Sequence, residues 1–206
     1  MKALPNVPRA TAFSIVGDGG SNVLLAQSDN AAATATHALH VDLAQTPLLT
    51  WRWRVSRSLD KADLRTKAGD DYAGRVYVLF EEDPTWPLAE RVKLKIARTL
   101  YGADLPAAGI CYVWGNKEPI GTTAWNAYTD RLRMVVVESG PAKAGRWVAE
   151  TRDVAADFRA AFGRTPPAIG IAVSADTDNT GETVTTHFGD LVFRAADAVD
   201  KASREK

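Results

Sequence analysis

The segment Leu49–Val55, Leu-Thr-Trp-Arg-Trp-Arg-Val, constrains the fold more than any other stretch of the chain. Apolar and polar residues alternate in it, and an extended backbone sends successive side chains to opposite faces. Trp51, Trp53 and Val55 therefore share one face, and Arg52 and Arg54 the other. The same period of two recurs along the chain. In Ala35–Leu43, Leu39, Val41 and Leu43 oppose His40 and Asp42. In Tyr72–Phe80, Gly74, Val76, Val78 and Phe80 oppose Ala73, Arg75, Tyr77 and Leu79. In Leu132–Glu138, Leu132, Met134 and Val136 oppose Arg131, Arg133, Val135 and Val137. Further strands are predicted at Thr11–Val16, Asn22–Ala26, Gly109–Trp114, Arg146–Thr151, Ile169–Ser174 and Val184–Phe193. Turn-forming residues separate most of them.

Two helices are predicted among the strands. Leu88, Val92, Ile96 and Leu100 repeat at a spacing of four, with Pro87 suited to the first turn and Gly102 to the end. Arg91, Lys93, Lys95 and Arg98 lie between them, the pattern of a solvated surface helix. The second helix, Val154–Phe162, has Asp153 as its N-cap and Gly163 at its close. About ten short strands and two short helices favour a mainly β fold. The expected architecture is an antiparallel two-sheet β-sandwich or jelly roll over residues 1–196, with a polar tail at 197–206.

Charge and motifs exclude several function classes. The 206 residues carry 25 Lys and Arg against 25 Asp and Glu, so the basic excess of a nucleic-acid binder is missing. No apolar run approaches the roughly 18 residues of a membrane span. Cys111, within Ile110-Cys111-Tyr112-Val113-Trp114, reads as a small buried hydrophobe. The sequence contains no nucleophile elbow, phosphate loop or paired-cysteine zinc pattern, so no catalytic residue is assigned. Carboxylates such as Glu81, Glu82, Glu138 and Asp71 leave one enzymatic alternative, a glycan hydrolase working through two facing carboxyls.

Two features point to binding. Asp176-Thr177-Asp178-Asn179-Thr180-Gly181 places side-chain oxygens at alternate positions before a glycine, which suits a structural calcium ion held by Asp176, Asp178 and Asn179. It departs from an EF-hand loop at Thr180 and at His187, which stands where the twelfth-position Glu would be. A plain strand-connecting turn is the competing reading. Asp70, Asp71 and Asp190 are candidates to complete a cation site if the fold gathers them. The second feature is a set of arginines, Arg52, Arg54, Arg75, Arg131 and Arg133, pointing with Tyr77 away from the assigned core faces. Tyr112 and Trp114 share a face of their own strand. Should these strands adjoin in one sheet, Arg52, Arg54, Arg75, Tyr77, Trp114 and Arg133 form a face for a carbohydrate or another polar ligand. Cross-strand Arg–carboxylate pairing on a solvated sheet is the alternative, and it describes a purely structural or interaction protein.

Several segments, taken in order, carry a resemblance. They are Trp51-Arg52-Trp53-Arg54-Val55, then Arg65-Thr66-Lys67-Ala68-Gly69-Asp70-Asp71-Tyr72-Ala73-Gly74-Arg75-Val76-Tyr77-Val78. Tyr112-Val113-Trp114-Gly115-Asn116, Thr129-Asp130-Arg131, Val136-Val137-Glu138-Ser139-Gly140, Arg152-Asp153-Val154 and Asp157-Phe158 follow. The Asp176–Gly181 turn and Gly189-Asp190 close the set. Together, from Val7 to Phe193, they resemble the bacterial family called Domain of Unknown Function 3047. The resemblance implies a β-sandwich comparable to galactose-binding jelly rolls, and a periplasmic or envelope location. Met1-Lys2-Ala3-Leu4-Pro5-Asn6 carries no apolar signal region, so a start further upstream is expected. Gly74 stands where similar chains are expected to have alanine. The family supplies no activity to transfer. The resulting expectation is a non-catalytic β-sandwich module that binds a carbohydrate or other polar ligand.

Overall fold

A computed structural model of the chain describes residues 2–3, 7, 9–82, 86, 88–89, 91, 95 and 106–196. Among these residues, twelve strands build two sheets. They are β1 (Lys2–Ala3), β2 (Ala12–Asp18), β3 (Ser21–Asp29), β4 (Ala33–Val41), β5 (Leu48–Val55) and β6 (Tyr72–Phe80). β7 (Ala108–Gly115), β8 (Thr123–Asn126), β9 (Thr129–Ser139), β10 (Val148–Asp153), β11 (Ala168–Asp176) and β12 (Thr183–Arg194) complete them. The larger sheet has the order β1-β4-β11-β6-β7-β9-β8, and the smaller β10-β5-β12-β3-β2. All pairings are antiparallel except β7 with β9. The β-sandwich expected from the alternation is the observed architecture.

The alternation works as elementary geometry requires. Trp51, Trp53 and Val55 of β5 face Val76, Val78 and Phe80 of β6 and Ile110, Tyr112 and Trp114 of β7 across the core. The Trp51 and Trp53 rings meet edge to face at 5.6 Å, Trp51 stacks on Tyr112 at 5.3 Å, and Trp53 meets Trp114 at 5.6 Å. Aromatic side chains bury the largest areas of any residues, so this cluster dominates the apolar driving force. Gly74 lies beneath it, where an added Cβ meets Trp53 Cε3 at 3.2 Å. The glycine gives the indole its room.

A smaller apolar cluster (Leu64, Tyr72, Cys111, Val113, Met134 and Val136) covers the outer side of the larger sheet. Cys111 is buried there, and burial first of all pushes its thiol far above the ordinary range, which suits an inert packing residue.

Helix α1 (Val154–Phe162) starts where the sequence places it. The Asp153 carboxylate accepts from the Ala156 N–H at 2.8 Å, and Gly163 closes the helix at φ 78°. Phe158 inserts against Phe80, with ring centroids 3.9 Å apart, and so plugs one edge of the sandwich. The strands Lys2–Ala3 and Thr123–Asn126 are additions to the sequence reading; both are short and lack an alternating run long enough to recognise. Most of the expected helix Leu88–Leu100 lies outside the described residues, of which Leu88, Ala89, Arg91 and Lys95 are helical. The polar tail 197–206 also lies outside them. Among the described residues, no helix is long and apolar enough to cross a membrane.

Candidate ligand and cation site

The six residues grouped from sequence do not form one face. Arg52 and Arg54 alternate with the core tryptophans of β5, so they lie on the outer side of the smaller sheet. There they flank Trp147, with guanidinium carbons 4.2 and 5.0 Å from its ring centre. Arg52 pairs with Asp190 at 2.6 Å and Arg54 with Asp18 at 3.0 Å. Arg75 and Tyr77 occupy the outer side of the larger sheet, across the whole sandwich. Arg133 shares its face of β9 with the core residues Val135 and Val137, so it lies on the inner side of that sheet, opposite Arg75 and Tyr77, over Trp125 at 4.9 Å. Trp114 is 1% exposed and points into the core, where its indole N–H donates to the Gly140 carbonyl at 3.1 Å. The condition for a shared face, adjacency in one sheet on one side, is not met. A period of two assigns sides within a strand but does not say which sheet the strand joins.

What the fold does gather is the acidic residues of two distant segments. Asp70 and Asp71 end the loop that runs from β5 to β6. Asp176 ends β11 opposite Tyr72, and Asp178 follows in the turn to β12. Because β11 and β6 are neighbours, both sets arrive at the same end of the larger sheet. Oxygen atoms of Asp71, Asp176 and Asp178 lie within 4.8 Å of one another. Thus Asp176 and Asp178 converge as the turn motif suggests, and Asp71 joins them. The Asn179 side chain instead lies against the Tyr128 hydroxyl.

Arg75 anchors the inner part of this cluster. It is 4% exposed; its Nε donates to Asp176 Oδ1 at 2.8 Å, and one Nη reaches Asp176 Oδ2 and the Asp70 carbonyl. Its other Nη stands 3.4 Å from Asp70 Oδ1. Burial pulls the guanidinium's value down, but Asp176 above all, then Tyr77 and Asp70, hold it well above the ordinary range. Burial pushes the Asp176 carboxyl up, Arg75 opposes that, and Asp71 and Asp70 reinforce it. Asp71 is fully buried, and its Oδ2 accepts from the Thr180 N–H at 2.6 Å. Its Oδ1 has no hydrogen-bond partner among the described residues. Burial, with the Asp178 charge as a lesser contributor, raises this carboxyl above its ordinary value. The Thr180 hydroxyl stands beside it, buried, and closes no hydrogen bond of normal geometry.

Tyr128 borders the cluster. It follows β8 in the tight connection to β9 and is 57% exposed. The connection is fastened inward, since the Asn126 amide donates to both Asp70 oxygens at 3.1 and 3.0 Å and its Oδ1 accepts from the Tyr128 N–H at 3.0 Å. The Tyr128 hydroxyl donates to the Lys67 carbonyl at 3.2 Å, and the Lys67 ammonium lies 5.1 Å from the ring centre. Sequence reasoning passes over Tyr128 and Asn126 because a single aromatic and a single amide in a turn carry no pattern. The adjacent Asp70-Asp71 pair was the available signal.

Two of the carboxylates considered for hydrolysis, Glu82 and Glu138, are held in ion pairs. Glu138 is buried and pairs with Lys143 at 2.6 Å. Nearby Glu150 accepts from the Trp53 indole N–H at 3.3 Å. Burial first, and the Glu138 charge second, push its carboxyl up to about 7. A carboxyl with a raised folded-state value favours folding fully below its unfolded value, and that contribution disappears as pH rises through the folded value. Glu150 therefore lowers stability progressively between its ordinary 4.5 and about 7. The full loss is about 3.5 kcal/mol, which solvent screening of this half-buried carboxyl reduces to about 2 kcal/mol. Glu150→Gln keeps an acceptor for Trp53 and removes this share of the decline. Denaturant melts at pH 5 and 8 are expected to show the variant gaining on the parent chain at the higher pH.

The architecture defines a two-sheet, mostly antiparallel β-sandwich with a polar, carboxylate-rich end. The family model described as "Protein of unknown function (DUF3047)" matches residues 1–192, and the chain belongs to that family. No curated protein matches the sequence.

Proposed function

We propose that the protein is a non-catalytic β-sandwich module that binds a neutral, polyhydroxylated ligand at the loop end around Tyr128. The observation that carries this reading is an exposed aromatic ring, fixed from below by Asn126 and Lys67, beside the oxygen acceptors of Asp70, Asp178 and Asn179. A saccharide offers the complementary chemistry. Its C–H face packs on an aromatic ring, and its hydroxyls donate to carboxylates and amide oxygens. The excess of carboxylates disfavours phosphates and nucleic acid, which need donors and positive charge. A periplasmic or envelope setting, implied by the family resemblance, accords with such a ligand.

The test is a glycan array probed with the full chain, followed by titration of the strongest neutral glycan. Tyr128→Ala is expected to weaken binding about tenfold or more, equivalent to about 1.4 kcal/mol, while Tyr128→Trp retains it. Absence of binding to every neutral glycan at millimolar concentration, or undiminished binding by Tyr128→Ala, overturns the reading.

A further inference from the structure

We infer that the same end of the sandwich is a calcium site whose protein ligands are Asp71, Asp176 and Asp178. The inference goes beyond the ligand reading and does not depend on it, because the cation can be held with no saccharide present.

Geometry is the first argument. Calcium binds oxygen at about 2.3–2.6 Å, so two ligands on opposite sides of one ion stand roughly 4.6–5.2 Å apart. The three carboxylates, drawn from two loops, meet that limit at 4.8 Å or less. An unpartnered oxygen points the same way. Asp71 is 0% exposed, its carboxyl faces Asp176 and Asp178, and Oδ1 closes no hydrogen bond of normal geometry among the described residues. Buried polar atoms are nearly always satisfied, and an unpaired buried carboxylate is strongly disfavoured. A cation between the three residues satisfies that atom directly. The buried Thr180 hydroxyl stands beside the Asp71 carboxyl and offers a fourth oxygen.

Charge balance is the third argument. Arg75 is the buried guanidinium of the cluster and is already spent on Asp176 and Asp70. Asp71 and Asp178 receive no salt bridge from it. The donor set contains oxygen alone, which selects hard cations over zinc or copper. Asp178 is partly exposed, so water can complete the six to eight ligands that calcium takes. Magnesium demands a smaller, near-ideal octahedron, which a site assembled from two loops and a strand end matches less well. Compared with the sequence expectation, Asp71 replaces Asn179 as the third ligand, and the ion ties the β5–β6 loop to the β11–β12 turn.

The experiment uses the full chain freed of metal with EDTA and then titrated with calcium chloride. Calcium at 100 times its dissociation constant is expected to raise Tm by about 5–10 °C. Asp71→Asn and Asp178→Asn are expected to abolish the rise. Asp71→Asn is also expected to melt at or above the parent temperature in EDTA, because it removes a buried carboxyl that has no cationic partner among the described residues and can keep the Thr180 N–H contact through its amide oxygen, so loss of the calcium response is not loss of fold. The inference is overturned by an absent calcium response in the parent chain, or by a response that both variants keep. An equal response to magnesium overturns the choice of calcium. These readings contain no glycan, so their failure is distinct from failure of the ligand reading.

Discussion

Replacing Arg75 by alanine is expected to destabilise the fold by about 3–5 kcal/mol, the magnitude measured when one partner of a buried ion pair is removed. The cause is the charge left behind. Asp176 accepts from the guanidinium through both oxygens, and the Asp70 side chain and carbonyl lean on it as well. Without Arg75, the carboxylates of Asp70, Asp71, Asp176 and Asp178 gather at the end of the larger sheet with no buried cationic side chain among the described residues between them. The loss is therefore electrostatic rather than a matter of packing, and this is checkable. Asp176→Asn introduced into the Arg75→Ala chain removes part of the stranded charge and is expected to restore part of the stability. The two changes are in direct contact, so they will not add. Urea melts of the parent, both single variants and the double variant measure the coupling.

The second large effect is expected at Trp114. Truncation to alanine should cost about 3–5 kcal/mol, the usual range for deleting a buried aromatic side chain. The ring fills the core beside Trp53, and its N–H satisfies the Gly140 carbonyl at the start of the β9–β10 connection. Tm should fall by roughly 10 °C in a chain of this size. The outcome also separates two accounts of this residue. A tryptophan in a binding face lowers affinity when removed and leaves the melt nearly unchanged. One in the core does the reverse once the folded fraction is held constant. The burial of Trp114 predicts the second pattern.

Much of the fold is legible in the sequence because one face of each strand must be buried. Trp51, Trp53, Val76, Val78 and Phe80 all sit where alternation puts them, and Asp153 and Gly163 bound the helix as their side-chain chemistry requires. Which residues meet across the sandwich is another matter. Tyr112 and Trp114 look like an aromatic face because alternation does not distinguish an apolar face that packs from one that binds. Arg52 and Arg75 look equivalent because each opposes a row of apolar residues. One lies over the smaller sheet against Trp147, while the other is buried under loops that no local pattern describes.

The acidic end was half legible. The Asp176–Gly181 turn announces itself by its oxygens, and the Asp70-Asp71 pair is visible as a charge cluster. Their meeting depends on β6 and β11 lying side by side, a pairing between residues about a hundred apart in the chain. Tyr128 comes to the same place through the β8–β9 connection, held there by Asn126 and Asp70. Long-range strand order, rather than any motif, builds the site.

The central claim is that Asp71, Asp176 and Asp178 hold one cation. The most direct measurement is an anomalous difference map from crystals of the full chain grown in calcium and exchanged with gadolinium. The account predicts a single peak enclosed by those three carboxylates, with oxygen distances of about 2.3–2.6 Å. A map with no peak there, or with its peak at another acidic group, contradicts it.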